Sequence, residues 1–389
     1  MALGVNAGEE ANIDTSSGVN YASLDPFKQQ AQIEASRTSD NIERFGFKVV
    51  EESRGESAFV IDEGDRYTAH VIEGIGTKTT AADLARLQRI EDQTIIASEI
   101  SQETGKTYYD HMGVDTVAMA VNDLIVVGAD PVVYSAYCAV GDSEWFNDSG
   151  RARDLARGLR HGCDLAGMVW GGGETPELRG IVYPNTIDLA GSAYGIIKPK
   201  ERLTLGDKLQ EGDSILSLGS SGIHANGLTK ARKVAGRLPQ GYRTLLPDGT
   251  MYGEALLQPT IIYTKLIQFL FASGIDIHYM VNITGHGWRK LMRAKQDFAY
   301  VINQIPEPQP VFTFIQEQLG YTHEQMYGSY NMGAGFAVFL PPEQIEEAQK
   351  VAGLYGIPSL KAGYVISGPK RVDIEPLGVT FSGNTLNLR

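Results

Sequence analysis

Four stretches of this chain combine residue types with a spacing that could do chemistry. The first is Glu73-Gly74-Ile75-Gly76-Thr77-Lys78. Its glycines let backbone amides approach a ligand, Lys78 offers a point charge to phosphate, and Glu73 could hold a metal. It is neither a P-loop nor a dinucleotide-binding turn, and read alone it is equally a glycine turn with a surface lysine. The second is Gly113-Val114-Asp115 followed by Ala120-Val121-Asn122-Asp123-Leu124, in a run that is otherwise nearly all apolar. A buried Asn-Asp pair must be satisfied by partners or by a metal. Magnesium prefers one or two carboxylates together with substrate phosphates. A buried aspartate that caps or packs a helix is the alternative.

The third stretch, Trp170-Gly171-Gly172-Gly173-Glu174-Thr175-Pro176, presents Glu174 at a strand end on open backbone. Three glycines cost conformational entropy that a plain loop need not incur. The fourth is Leu218-Gly219-Ser220-Ser221-Gly222-Ile223-His224-Ala225-Asn226-Gly227, between a strand and a helix. Glycines, two hydroxyls and a helix N-terminus together make an anion site from amides and dipole. His224 has two readings there: a group that orients or protonates a reacting oxygen, or a hydrogen-bonded structural histidine.

Other chemistries are not supported. The histidines form no HExxH and no cluster with cysteine, so a zinc site is not expected. Ser220 and Ser221 lack the GxSxG elbow of a hydrolase triad. Trp145 and Trp288 read as packing residues. Cys138 and Cys163 are the two cysteines of the chain, are not in a CxxC pair, and fit a reducing, cytoplasmic setting without a disulfide scaffold. The net charge of −13 disfavours nucleic acid and anionic membrane surfaces. No apolar run reaches the ~18 residues of a membrane span, and no basic-then-apolar leader opens the chain.

These residues need elements to position them. A length of 389 residues with 42% hydrophobic content suggests more than one packed core. Residues up to about Asp40 read as a loosely ordered arm. Ala58 to Asp62 and Tyr67 to Glu73 read as a hairpin, Thr79 to Arg89 and Tyr108 to Val127 as helices, and Pro131 to Val140 as a strand. Asp148 caps a helix through Cys163, and Asn185 to Ile197 is another strand. The charged segment from Lys198 to Asp213 marks a domain boundary, giving an arm (1–40), an N-terminal domain (41–200) and a C-terminal domain (201–389). Beyond it, a strand at Ser214 to Leu218 precedes a helix from Leu228. Helices at Pro259 to Ala272, His286 to Ala294, Pro310 to Leu319 and Pro342 to Leu354 alternate with strands at His278 to Ile283, Phe298 to Ile302, Gly335 to Leu340 and Ala362 to Ser367. The mixture lacks strict βαβ regularity and predicts two α+β halves.

At these places the sequence resembles aminoimidazole ribonucleotide synthetase. The match runs in order through Gly74 to Lys78, Met119 with Val121-Asn122-Asp123-Leu124, Gly128-Ala129-Asp130-Pro131, and Gly172-Gly173-Glu174-Thr175. It continues through Gly219-Ser220-Ser221-Gly222 with His224, Asn226 and Gly227, then Leu257 with Pro259-Thr260 and Tyr263, Ile283-Thr284-Gly285, and Met326-Tyr327 with Asn331-Met332-Gly333. Each motif is common, while the ordered set is specific. The resemblance implies an α/β (α+β) fold whose N-terminal half forms a barrel-like sheet across a homodimer. It implies ATP and Mg²⁺ as cofactors and a phosphorylated ribonucleotide as substrate, with formylglycinamidine ribonucleotide closing to aminoimidazole ribonucleotide as ADP and phosphate leave. On that pattern Glu73, Asp115, Asp123 and Glu174 are the metal ligands. Gly74, Gly76, Thr77, Lys78, Asn122, Gly219, Ser220, Ser221, Gly222 and Asn226 bind ATP and phosphate, and His224, Lys78 and Asp123 act in catalysis. The family usually has Asp where Glu73 stands and a glycine where His286 stands, and its glycine-rich N-terminal flap is reduced here to Arg44-Phe45-Gly46-Phe47.

Rival readings stay in view. Selenophosphate synthetase needs a reactive Cys or Sec near the N-terminus, and none precedes Cys138. The amidotransferase of the superfamily is far longer, and thiamine-monophosphate kinase lacks the Ser-Ser-Gly-x-His-x-Asn-Gly loop. A catalytically silent nucleotide-binding paralogue is the alternative from another class.

Overall fold

The computed structural model describes residues 21–89, 95–97 and 104–386. In the N-terminal half, β1 (Lys48–Val49), β2 (Phe59–Asp62) and β3 (Tyr67–Gly74) come first, with β2 and β3 an antiparallel hairpin. The small pair β4 (Leu87–Arg89) and β5 (Ile95–Ala97) stands apart from β6 (Asp130–Val140), β7 (Val169–Glu174) and β8 (Ile187–Ile197). The six-stranded order is β1-β2-β3-β8-β6-β7, and this sheet is the half-barrel. Along β8 the side chains alternate between buried and accessible, the period of a strand covered on one face.

The covering helices explain the placement of the second motif. α1 (Tyr21–Ser36) precedes the sheet and α2 (Lys78–Arg86) follows β3. α3 (Tyr109–Val126) and α4 (Ser149–Ala166) cross each other at close range. A Cβ on Gly113 would lie 2.4 Å from Leu159 N, and one on Gly158 would lie 2.0 Å from Asp110 O, so only glycine allows this crossing. α4 is capped as expected, with Arg151 N–H donating to Asp148 Oδ1 at 3.0 Å. α3 is buried from Met112 to Val126 because it packs on the N-terminal sheet and also on the C-terminal half. Seven residues turn a helix by roughly two full turns, so Asp115 and Asn122 share a face while Asp123 points about a quarter turn away.

The C-terminal half has a seven-stranded sheet of β9 (Ser214–Gly219), β10 (Tyr279–Asn282), β11 (Phe298–Ile302), β12 (Ala334–Leu340), β13 (Ser359–Ser367), β14 (Arg371–Ile374) and β15 (Val379–Ser382), in the order β10-β12-β9-β13-β11-β14-β15. Its helices are α5 (Leu228–Ala235), α6 (Tyr252–Leu256), α7 (Thr264–Ala272), α8 (Pro310–Leu319), α9 (His323–Tyr327) and α10 (Ile345–Leu354). Every residue of β9, β10 and β12 is buried, the pattern of strands covered on both faces. The mixed α/β character therefore stands in both halves.

Four expectations change: the helix expected from Thr79 to Arg89 ends at Arg86, and Leu87–Arg89 is a strand paired with Ile95–Ala97. The stretch before Asp40 is not an arm throughout: Tyr21–Ser36 is helical, yet nothing from Phe27 to Ser36 is buried, so no apolar stripe signalled it. The expected helix from Pro259 starts only at Thr264, because Pro259 to Tyr263 is held extended by side chains of the other half. The expected helix from His286 is a 3₁₀ segment, Gly287–Met292.

Candidate functional site

The sequence motifs meet at the seam between the halves, but they divide into two sets. The first set is a clamp. Lys78, completely buried, donates to Gln258 O at 2.7 Å and sits 2.7 Å from Asp115 Oδ2. Asp115 Oδ1 accepts from Thr260 N–H at 2.7 Å and also from the Thr260 hydroxyl. One turn pair along α3, Asn122 donates to Ile261 O at 2.8 Å and accepts from Tyr263 N–H at 3.1 Å. Ser221 Oγ donates to Pro259 O at 2.5 Å. Residues 258–263 are thus fastened to the N-terminal half by Lys78, Asp115 and Asn122, and to the Gly219 loop of their own half by Ser221.

This reassigns several expected ligands. Lys78 and Asp115 satisfy each other, so neither presents a free charge to phosphate or metal, and both ends of the Asn122 amide are used. Ser220 Oγ donates to Asn331 Oδ1 at 2.9 Å and Ser220 N–H to Gly333 O at 2.9 Å. Asn331 Nδ2 donates to Gly222 O at 2.9 Å. The start of the Gly219 loop is therefore stitched to the turn before β12, with its hydroxyls spent inside the protein. His224 is buried at a φ of +58°, and its Nε2 accepts from Ser221 N–H at 3.2 Å. Burial, aided by the Lys78 charge, pushes its pKa down to about 3. His224 is thus a buried, neutral imidazole that holds its own loop.

The second set gathers where the end of β3, α3 and the turn after β10 come together. Glu73, near the end of β3, has its carboxyl pushed up to about 7, first by burial and then by the charge of Asp123. Asp123 Oδ1 accepts from Asn282 Nδ2 at 2.6 Å, which ties α3 to β10. Two residues on, the Thr284 hydroxyl accepts from Lys290 Nζ. Burial pushes the Lys290 ammonium down, while Asp123 and Glu73 pull it up. Asn226 borders the same turn, its Oδ1 3.5 Å from where a Cβ on Gly285 would stand. Thr77 Oγ1 meets Thr229 Oγ1 at 3.3 Å, which brings the Gly74-Gly76 turn against the N-terminal turn of α5. His286 is neutral here, its pKa held down to about 3 by burial and then by Lys290, Arg289, Lys28 and Arg293.

The site is therefore polarised, the carboxylates of Glu73 and Asp123 lying within electrostatic reach of Lys290 and Arg293. Glu174 is not part of it. Strand β7 is at the sheet edge, three strands from β3, about 14 Å at ordinary strand spacing, and Glu174 is exposed. Among the described residues no group of three His, Cys, Asp or Glu is arranged to hold a metal. The Glu73–Asp123 pair alone matches the one or two carboxylates that Mg²⁺ takes beside substrate phosphates. A concavity of about 1480 Å³ between α3, α4 and residues 258–266 is lined by the clamp segment and includes neither Glu73 nor Asp123.

Sequence reasoning missed Lys290, Asn282 and Thr284 as a group. No local signal marks Lys290, since Arg289 beside it carries the same charge.

Comparison with known proteins agrees with this architecture. The model of the AIR synthase related protein N-terminal domain matches residues 63–197, and that of its C-terminal domain matches 210–374. Phosphoribosylformylglycinamidine cyclo-ligase of Methanothermobacter thermautotrophicus is 34% identical over 318 residues, covering 80% of this chain and 90% of the relative. The protein of that name from Pyrococcus horikoshii is 32% identical, covering 84% and 87%. Among solved structures, the HypE-HypF complex superposes with a TM-score of 0.55 at 15% identity, over 84% of this chain and 92% of that one. AaThiL complexed with AMPPCP and TMP gives 0.53 at 12% identity, over 84% and 91%. These two share the fold. Both halves and the sequence relatives lead to one conclusion: the chain belongs to the AIR synthase related family.

Proposed function

We propose that this chain is an ATP-dependent cyclo-ligase that closes formylglycinamidine ribonucleotide to aminoimidazole ribonucleotide, a step of purine biosynthesis. The observation that carries the reading is the cluster of Glu73 and Asp123 with Lys290 and Arg293, set in a chain whose relatives of about a third identity are named for this reaction. Phosphoryl transfer asks a protein for positioning and charge neutralisation more than for covalent help. Glu73 and Asp123 are the residues that would hold Mg²⁺, and the raised Glu73 carboxyl fits them, since two facing carboxylates coexist best with a cation between. Bound there, the metal would neutralise phosphate charge. The chain's own part is to orient the phosphates against the Gly74-Gly76 turn, Asn226 and the cations of this cluster. The amidine nitrogen then attacks the formyl carbon, forming the ring C–N bond as the C–O bond breaks and the phosphorylated oxygen leaves as inorganic phosphate.

We also infer a cytoplasmic homodimer. Ile72, Val169, Trp170 and Tyr183 are large, exposed and belong to β3, β7 and the loop before β8, a surface suited to a second copy. Glu174, on the outermost strand, would approach a metal only across such an interface. The test of the activity is direct: ADP release should require formylglycinamidine ribonucleotide and match product one for one. Folded protein with Mg²⁺ that shows no substrate-dependent ADP release would defeat it.

A further inference from the structure

We propose that Lys290 binds phosphoryl oxygens at this site, as its principal phosphate-binding lysine. The inference rests on the reading that ATP and a ribonucleotide meet at the seam. Lys290 is only 7% exposed. An ammonium has three N–H donors, and here one goes to the neutral Thr284 hydroxyl. Among the described residues no carboxylate oxygen lies within the 4.0 Å of an ion pair. Asp123 and Glu73 act on it only from farther away. A buried cation with one neutral partner is costly unless something of opposite charge completes it.

The stronger of the two carboxylate influences is already committed elsewhere. Asp123 is held by Asn282 at 2.6 Å. The turn that carries Lys290 is rigid: a Cβ on Gly287 would come within 2.1 Å of Tyr327 O, and Trp288 Nε1 donates to Asn331 O at 2.8 Å. The ammonium is thus anchored by Thr284, within electrostatic reach of the two carboxylates but in an ion pair with neither. A phosphate at this cluster would be bound by a metal on the carboxylates and by Lys290. Phosphate groups of ATP and the 5′-phosphate of the ribonucleotide share this chemistry, and the experiment separates them.

Full-length protein carrying Lys290→Met, which keeps the stem and removes the charge, is titrated calorimetrically beside wild type. The probes are AMPPCP with Mg²⁺, formylglycinamidine ribonucleotide, and adenosine as a phosphate-free control. One phosphorylated probe should weaken by at least about tenfold while adenosine is unchanged, and Lys290→Arg should recover part of the loss. Whichever probe weakens names the phosphate source. The ligand-free Tm of Lys290→Met should equal or exceed that of wild type, because an uncompensated charge has gone. The proposal falls if both phosphorylated probes bind Lys290→Met within about twofold of wild type. It falls equally if adenosine weakens in step or the variant does not fold, since the lysine would then be structural. Failure of the underlying reading looks different: wild type itself would bind neither AMPPCP nor the ribonucleotide.

Discussion

Two buried lysines sit at the seam between the halves, and they are built for opposite ends. Lys78 has a carboxylate and a carbonyl each at 2.7 Å, whereas Lys290 has a hydroxyl and distant charges. The glycine-rich neighbourhood of Lys78 reads from sequence as phosphate chemistry, whereas nothing in the segment Trp288-Arg289-Lys290-Leu291-Met292 singles Lys290 out. Partnering reverses the first reading and supplies the second. What a charged side chain does in a fold depends on whether its charge is already answered, and only the tertiary arrangement decides that. A satisfied buried pair fixes how two parts meet, while an unsatisfied one is available to a ligand.

The largest effect should come from breaking the satisfied side. Lys78→Met leaves Asp115 charged and buried at the interface of the halves, at a cost of about 3–5 kcal/mol, or about 4–6 °C in Tm for a chain of this size. Lys78→Met with Asp115→Leu should recover most of that, because the pair as a whole is replaceable by apolar volume. Thermal melts of the two variants check this. A single variant that melts with wild type would show that the clamp contributes little.

Next in size is the carboxylate pair. Asp123→Asn can keep its contact with Asn282, so the fold should persist while turnover drops at least about tenfold and the Mg²⁺ requirement rises. Steady-state rates over a Mg²⁺ series decide it, and unchanged activity with unchanged Mg²⁺ dependence would remove Asp123 from the metal site.

A third test uses pH. Glu73 titrates near 7 in the fold against an ordinary 4.5. A carboxyl raised in this way lends stability below about 4.5 that is lost as pH climbs through about 7. The loss is on the order of 2 kcal/mol after allowance for partial exposure. Metal-free protein should therefore melt lower at pH 8 than at pH 6 by more than Glu73→Gln does, and added Mg²⁺ should stabilise wild type more at the higher pH. Equal Mg²⁺ effects at both values would separate Glu73 from the metal.

The same contrast shows what could be read from the chain alone. The β2–β3 hairpin, α4 with its Asp148 cap and the strands β6, β8 and β11 were legible because their signals are local: alternation, helical spacing, a capping side chain. The start of α7 was not, since Pro259 to Tyr263 gives up helix for bonds to Ser221, Asp115 and Asn122, residues far away in sequence. In the site, Glu73 and Asp123 could be named from their types and flanks. That Asp115 is answered and Lys290 is not could not be named, because the partners Thr260 and Thr284 are ordinary threonines in turns.

The smallest effect is expected at His286, which stands beside Lys290 where the family usually has glycine. Its imidazole is neutral down to about pH 3 because burial and four surrounding cations oppose a second proton. It therefore adds shape to the cationic cluster but no charge in the physiological range. His286→Gly should alter KM for one phosphorylated ligand by a few-fold and leave kcat within about twofold, the signature of a contact equal in ground and transition states. The difference should also be flat between about pH 5.5 and 8.5, since nothing that titrates there has been removed. A kcat that falls more than KM moves, or a pH profile that shifts, would place the imidazole in the chemistry and make the cationic side of the site a proton-transfer surface rather than an electrostatic one.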